Sequence, residues 1–242
     1  MGEAKQTVIG ITLAAAIIAA WAALHLYAIF ALQLGPATLW AIIPLMAVQT
    51  WLGAGLFIVA HDAMHGSLSP GAPAVNRWIG RAALGLYAFF PYDRLASKHH
   101  EHHRHPGGAD DPDFYAAQPR GFWRWYAHFF ATYFGLKQFI AIFAVVLFYA
   151  LVLHASVLNI LLFWAAPSIA SSLQLFTFGT WLPHRRHDAP FADQHNARTL
   201  EYGWLASLFA CYHFGYHLEH HRSPGSPWWR LPEVRRDGRA AV

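Results

Sequence analysis

Two long stretches of this chain contain no charged residue. Residues 6–61 and 138–184 lack Asp, Glu, Lys and Arg altogether, and both are dominated by aliphatic and aromatic residues. A transmembrane helix needs about 20 consecutive apolar residues, so each stretch is long enough for two crossings and too long for one. The pattern therefore predicts two membrane hairpins.

Turn-forming residues inside the two stretches set the bounds of the predicted spans. Gly35-Pro36 interrupts the first stretch, and the second is interrupted near His154-Ala155-Ser156. Glycine and proline are the strongest local breaks in an apolar run. We predict four transmembrane helices at about residues 7–32, 38–60, 137–154 and 158–181.

The remaining segments, 61–128 and 182–242, are charged and rich in turns. Apolar runs within them, such as 79–92 and 204–216, are too short to cross a bilayer and are typical of interfacial or re-entrant helices. The predicted fold is an all-α integral membrane protein with one domain over residues 1–242. Its four spans form two hairpins, and the segments 61–128 and 182–242 form a cap on one side.

Charge indicates the side of the membrane on which the cap lies. With hairpin turns near residues 34 and 155, all 17 Lys and Arg residues and both termini fall on one side. The positive-inside rule makes that side cytoplasmic. The net charge of +4 is spread over membrane-flanking loops, which indicates contact with anionic lipid and argues against nucleic acid as a partner.

Histidines supply the chemistry of the predicted cap. The pattern H-x-E-H-H-R-x-P-G occurs at residues 99–107 and again at 217–225. Residues i, i+3 and i+4 share one side of a helix, so each copy directs three imidazoles the same way. A third motif, at residues 61–65, pairs two histidines at i and i+4. In chain order, the three motifs are named box one (61–65), box two (99–103) and box three (217–221). Their predicted metal ligands are His61, His65, His99, His102, His103, His217, His220 and His221.

Eight imidazoles exceed the four to six ligands of a single metal ion and therefore predict two. Cys211 is the only cysteine, which excludes thiolate zinc and iron-sulfur sites, whereas imidazole ligands suit iron, copper or zinc. Four carboxylates near the boxes are candidate hydrogen-bond partners of the bound imidazoles, although a solvated loop is the simpler interpretation of the acidic turn at 110–113. These candidates are Asp62, Asp110, Asp111 and Asp113. Histidines outside the boxes, at 25, 128, 154 and 213, are expected to be structural.

The sequence around the boxes resembles the bacterial β-carotene 4-ketolases of the integral-membrane fatty acid desaturase/hydroxylase superfamily. The resemblance is carried by residues 61–66, 99–115, 178–185 and 217–232. It implies a di-iron centre and O2 as co-substrate. It also implies oxidation of the C4 methylene of each β-ionone ring to a ketone, from β-carotene through echinenone to canthaxanthin, with astaxanthin formed from hydroxylated carotenoids.

The same resemblance implies the bacterial inner membrane as the location and an external reductant such as ferredoxin. It further implies a ninth metal ligand just after the fourth span, for which His184 is the best match and His187 and His195 are alternatives. The alternative functions are a carotenoid 3-hydroxylase, a fatty-acyl desaturase, or a membrane metal-binding or transport protein. A transporter would carry ligands along a path within its spans, whereas these histidines gather at one surface.

Overall fold

The computed structural model describes residues 1–240 and the side chains of residues 1–238. Ala241 and Val242, the end of the predicted cap, lie outside the described residues. The described chain contains helices and no strand, and its β-type pairing is one isolated bridge between Thr199 and Tyr216. The helices are α1 Glu3–Ala31, α2 Leu39–Met64, α3 Pro73–Ala88, α4 Tyr92–Arg104, α5 Phe122–Tyr133, α6 Leu136–Val152, α7 Val157–His184, α8 Trp204–Cys211, α9 His217–Arg222 and α10 Leu231–Ala240.

Three of these helices are long and apolar enough to cross a membrane. They are α1, α2 and α7, with 29, 26 and 28 residues. Helices α5 and α6 meet the same length and composition criterion only as a pair, and a bend of 82° separates them, as in a broken span or a re-entrant segment. The all-helical prediction is confirmed, and the described residues contain three to four apolar spans.

The helix bounds depart from the predicted ones at the ends that carry histidines. Helix α2 runs to Met64, past its predicted end at residue 60, and α7 runs to His184, past residue 181. Just after α2, Gly66 has a left-handed backbone with a φ of +71°, which ends the helix at box one. Residues 61–64 of box one therefore belong to the last turn of a long helix, and His65 is its C-cap residue.

Left-handed residues end the helix in each of the two short apolar runs. In the run at 79–92 that residue is Phe89, which has a φ of +57° and separates α3 from α4. The run at 204–216 is interrupted by Tyr212 and His213, with φ values of +46° and +62°. These left-handed residues turn the chain sharply, and the next helix in each case carries a histidine box.

Polar side chains fix the two ends of the helical bundle. Gln6 near the start of α1 donates to the carbonyl of Ser67, just after box one, at 2.7 Å. At the opposite end, the Asn159 amide at the start of α7 donates to the carbonyls of Ala28 and Leu32, both at 2.8 Å. The N-terminus and box one therefore share one end, and the two hairpin turns meet at the other.

Helix α2 is the centre of the packing and contacts α1, α3 and α7. Two glycines allow close approach around the histidine-bearing end of α2. A Cβ atom at Gly10 of α1 would collide with the carbonyl oxygen of Leu68, and one at Gly80 of α3 would lie 2.8 Å from the Cβ of Ala63. These contacts hold α1 and α3 against the histidine-bearing end of α2.

Candidate metal centre

The nine predicted ligand histidines form two clusters at the α2 end of the bundle. Within each cluster, the potential ligand nitrogens all lie within 4.8 Å of one another. The first cluster contains His61, His65, His99, His103 and His220, and the second contains His102, His184, His217 and His221. Their role as metal ligands remains a prediction, but the structure brings every one of them together.

Boxes two and three each contribute to both clusters. His99 and His103 of box two belong to the first cluster, while His102 belongs to the second. With about 3.6 residues per turn, positions i and i+4 differ by about 40° around the helix axis, whereas i+3 and i+4 differ by about 100°. The i, i+4 pair therefore points to one cluster and the i+3 residue to its neighbour.

Box three makes the reciprocal division. His217 and His221, its i, i+4 pair, lie in the second cluster, and His220 lies in the first. Helices α4 and α9 thus interlock through their histidines. The Nε2 atoms of His103 and His220 are 3.0 Å apart, and those of His102 and His221 are 3.2 Å apart.

Box one completes the first cluster from the end of α2. The ring of His61 lies 4.5 Å from the rings of both His99 and His220, and the Nε2 atoms of His65 and His99 are 2.7 Å apart. These contacts bring together three helices that are far apart in the sequence.

His184 at the end of α7 completes the second cluster. Its Nδ1 donates to the carbonyl of Asn196 at 2.8 Å, which leaves Nε2 as the nitrogen with a free lone pair. The alternatives lie farther out: His187 is exposed, and the ring of His195 is 6.0 Å from that of His221. Position therefore favours His184 as the ninth ligand.

The aspartates predicted to support the histidines divide into three buried residues and one exposed residue. Asp111 accepts a hydrogen bond from His102 Nδ1 at 2.9 Å, and Asp113 lies 3.9 Å from the same atom. Asp62 accepts from the backbone amide of Trp228 at 3.0 Å and lies 3.5 Å from His61 Nδ1. Asp110 is exposed, so only part of the acidic turn behaves as the solvated loop that the simpler interpretation expected.

The electrostatics of the site keep most of the imidazoles neutral. Burial, followed by the neighbouring imidazoles, holds the pKa of His217, His220 and His221 well below the usual value of 6.5. His102 differs: burial lowers its pKa, but the carboxylates of Asp113 and Asp111 outweigh that effect and raise it. A neutral imidazole has the lone pair that a metal requires.

The donor set fits a pair of metal ions. Both ring nitrogens of His61 and the Nε2 of His184 are buried without a hydrogen-bond partner among the described residues. Buried polar atoms normally have a partner, because leaving one unpaired costs about 1–3 kcal/mol. Nitrogens bound to one ion at about 2.1 Å lie roughly 3–4 Å apart, close to the spacing within each cluster.

An apolar tunnel leads away from the clusters. Its cavity has a volume of about 350 Å³, and His61, His99, His102 and His217 form its inner end. From there it follows one face of α7. Nine α7 residues line it, at positions that recur every three or four residues and in places as adjacent pairs: Ile160, Trp164, Ala165, Ser168, Ile169, Ser172, Leu175, Gly179 and Thr180. At about 1.5 Å per residue, the lined part of α7 is roughly 25–30 Å long.

Neither the tunnel nor the role of Asn196 was predicted from the sequence. The tunnel has a signal in the sequence, the helical recurrence of its α7 lining, but no property of that pattern separates a lining residue from one facing lipid. Asn196 links His184 to the turn that follows box two, because its side chain donates to the carbonyl of Pro106 at 2.9 Å. No regular sequence spacing relates Asn196 to His184 or to Pro106.

The chain matches the sequence model of the fatty acid desaturase family over residues 34–144 and 135–242. It is 47% identical to the β-carotene ketolase of Paracoccus sp. (strain N81106 / MBIC 01143), over 99% of this chain and 97% of that protein. Identity to the β-carotene ketolase of Paracoccus sp. (strain PC1) is 45%, over 98% of this chain and 96% of that protein. Identity to the β-carotene ketolase of Haematococcus lacustris is 39%, over 96% of this chain and 81% of that protein.

Proposed function

Because this chain belongs to the fatty acid desaturase family, we propose that it is an O2-dependent di-iron β-carotene ketolase. The observation that carries the proposal is the pair of histidine clusters at the inner end of an apolar tunnel. Identity of 45% and 47% to proteins named β-carotene ketolase, over nearly the whole chain, supports the choice of substrate.

The five-histidine and four-histidine clusters would each hold one iron. When bound, the irons supply the activation of O2 and the removal of a C4 hydrogen, chemistry that no side chain performs alone. The protein's part is to fix the imidazoles. His184 donates through Nδ1 to Asn196, and His102 donates through Nδ1 to Asp111, so both rings present Nε2 to the site.

The reaction is a double oxidation at one carbon. Each hydroxylation of C4 consumes one O2, two electrons and two protons, places one oxygen atom on carbon and releases the other as water. A second hydroxylation of the same carbon gives a gem-diol, which loses water to become the ketone. β-Carotene would yield echinenone and then canthaxanthin, and hydroxylated carotenoids would yield astaxanthin. The electrons would come from a separate reductant such as ferredoxin.

The tunnel supplies the binding site for the rest of the substrate. Its walls are mainly apolar and aromatic, with Phe129, Phe134 and Trp164 among the lining residues. A narrow apolar passage roughly 25–30 Å long suits an extended polyene, because burial of apolar surface is the main source of binding energy for such a molecule. One ring would lie at the clusters while the chain follows α7.

We further propose that the chain crosses a bacterial inner membrane four times, with α1/α2 and α6/α7 as two hairpins. Shared placement of the N-terminus, box one and the Lys- and Arg-rich segments supports a cytoplasmic cap. Helix α5, bent away from α6 by 82°, would lie along the membrane interface.

Pigment analysis tests the proposed function. A bacterial host that makes β-carotene is grown with this chain, with its His61→Ala variant, and without either. Echinenone and canthaxanthin should appear only with the wild-type chain. Pigments hydroxylated at C3 without ketones would indicate a 3-hydroxylase, new unsaturated fatty acids would indicate a desaturase, and metal uptake without O2 consumption would indicate a transporter. Each of these outcomes would contradict the proposal.

A further inference from the structure

A polar pair lies far from the histidine clusters, with one member in each of the two charge-free stretches. His25 of α1 is 3% exposed, and its Nε2 lies 3.4 Å from the hydroxyl of Tyr149 in α6. Its Nδ1 has no hydrogen-bond partner among the described residues. Polar groups within membrane helices are costly and usually functional, so the structural role expected for His25 does not account for the unpaired nitrogen.

Aromatic rings enclose the pair. The His25 ring stacks on Trp21 at 4.7 Å and meets the Trp164 ring edge-on at 5.3 Å. The Tyr149 ring lies 5.6 Å from the same Trp164 ring. Trp164 therefore contacts both members of the pair.

The position of Trp164 connects this pair to the tunnel. Trp164 lines the tunnel at its outer end, together with Val146 and Ile160. Those three residues and Tyr149 also pack in one apolar cluster. The pair thus lies behind the wall at the outer end, while the histidine clusters form the inner end.

We propose, on the basis of the proposed function, that His25 and Tyr149 recognise an oxygen substituent on the ring that is not being oxidised. With one ring of an extended carotenoid at the clusters, the other ring lies at the outer end of the tunnel. A hydroxyl or ketone on that ring enters beside the edge of Trp164. There it exchanges hydrogen bonds with the Tyr149 hydroxyl and with His25, which can donate or accept according to its tautomer.

Such recognition would give the bound carotenoid a preferred orientation in the tunnel. A carotenoid with one oxygenated ring binds with that ring outward and its unmodified ring at the clusters. The site therefore favours oxidation of the second ring of a half-converted substrate. A purely structural role, in which His25 only packs against Trp21 and Trp164, would change all substrates and both orientations alike.

Competition between the two rings of one molecule tests this inference. The substrate is β-carotene carrying a single 3-hydroxyl group, and chromatography measures the ratio of product with the ketone on the unsubstituted ring to product with it on the hydroxylated ring. Wild type is compared with His25→Phe and Tyr149→Phe, which keep an aromatic ring and remove the hydrogen-bonding group. Tyr27→Phe, at an exposed tyrosine on α1, is the matched control.

We expect each of the two variants to lower the ratio by about 5-fold, the equivalent of one hydrogen bond worth about 1 kcal/mol, and the control to leave it unchanged. Because the ratio is taken within one sample, a variant that accumulates poorly still reports it. An unchanged ratio in both variants would overturn the inference while leaving the proposed function intact. Absence of any ketone with wild type would overturn the proposed function and this inference with it.

Discussion

Replacement of Asp111 by asparagine should weaken one metal site and spare the other. The Asp111 carboxylate accepts three hydrogen bonds: from His102 Nδ1 at 2.9 Å, from the Gly107 amide at 2.7 Å and from the Asp113 amide at 2.9 Å. Asparagine keeps one acceptor oxygen and turns the other into a donor, so either His102 or Gly107 would face an N–H group. Loss of such a partner of a metal-bound histidine typically costs 10–100-fold in metal affinity, or roughly 1.4–2.7 kcal/mol.

His102 belongs to the four-histidine cluster, so that cluster alone should be affected. Purified Asp111→Asn protein titrated with an iron chelator should release one iron at about 10–100-fold lower chelator activity than wild type and the second iron at the wild-type midpoint. Asp110→Asn makes the same change of charge at the exposed neighbouring position and should behave as wild type. If Asp111→Asn released both irons together at the wild-type midpoint, the assignment of His102 and Asp111 to one site would be refuted.

Three further substitutions test separate parts of the account. His184→Ala should lower the iron content from two to about one per chain and abolish ketone formation, whereas His187→Ala should retain both irons, as elemental analysis would show. Ser168→Trp should fill the tunnel at mid-length, so iron content stays at two while ketone formation falls at least about 10-fold because the polyene no longer fits; equal losses of iron and activity would contradict the tunnel. Gly10→Val would force side-chain atoms against the Leu68 carbonyl and should destabilise the fold by about 1–3 kcal/mol, seen as a lower Tm in detergent; an unchanged Tm would contradict that close approach.

The histidines were predictable because helix geometry alone relates them. The i, i+3, i+4 spacing of boxes two and three directs three imidazoles to one side of each helix, and the proline and glycine that follow limit how far each helix runs. The long helices were predictable from an equally local property, the absence of charged residues over two long stretches of the chain. The eight box histidines were therefore predicted to share a site before any contact between helices was known, whereas His184 was predicted only from the resemblance to the family.

Their division between two clusters could not be predicted in the same way. Whether His102 joins His99 or His184 depends on how α4 rotates against α9 and α7, helices that are far from α4 in the sequence. Asp110 and Asp111 are adjacent in an acidic turn, yet one is exposed and the other holds His102, because the backbone of Gly107 and Asp113 selects the buried carboxylate.

The bend between α5 and α6 was missed for a related reason. Residues 134 and 135 contain no proline. The third span was predicted to begin at residue 137, and no helix was predicted directly before it. Gly135 adopts an extended backbone there, and its amide N–H donates to the side-chain oxygen of Gln138 at 3.1 Å. The turn depends on that side-chain contact, which composition does not reveal.

Diffraction from the iron-loaded protein at the iron absorption edge tests the central claim most directly. Two anomalous peaks should appear, one among His61, His65, His99, His103 and His220 and the other among His102, His184, His217 and His221, each about 2.1 Å from the imidazole nitrogens that bind it. A single peak shared by all nine histidines, or peaks away from both clusters, would contradict the account.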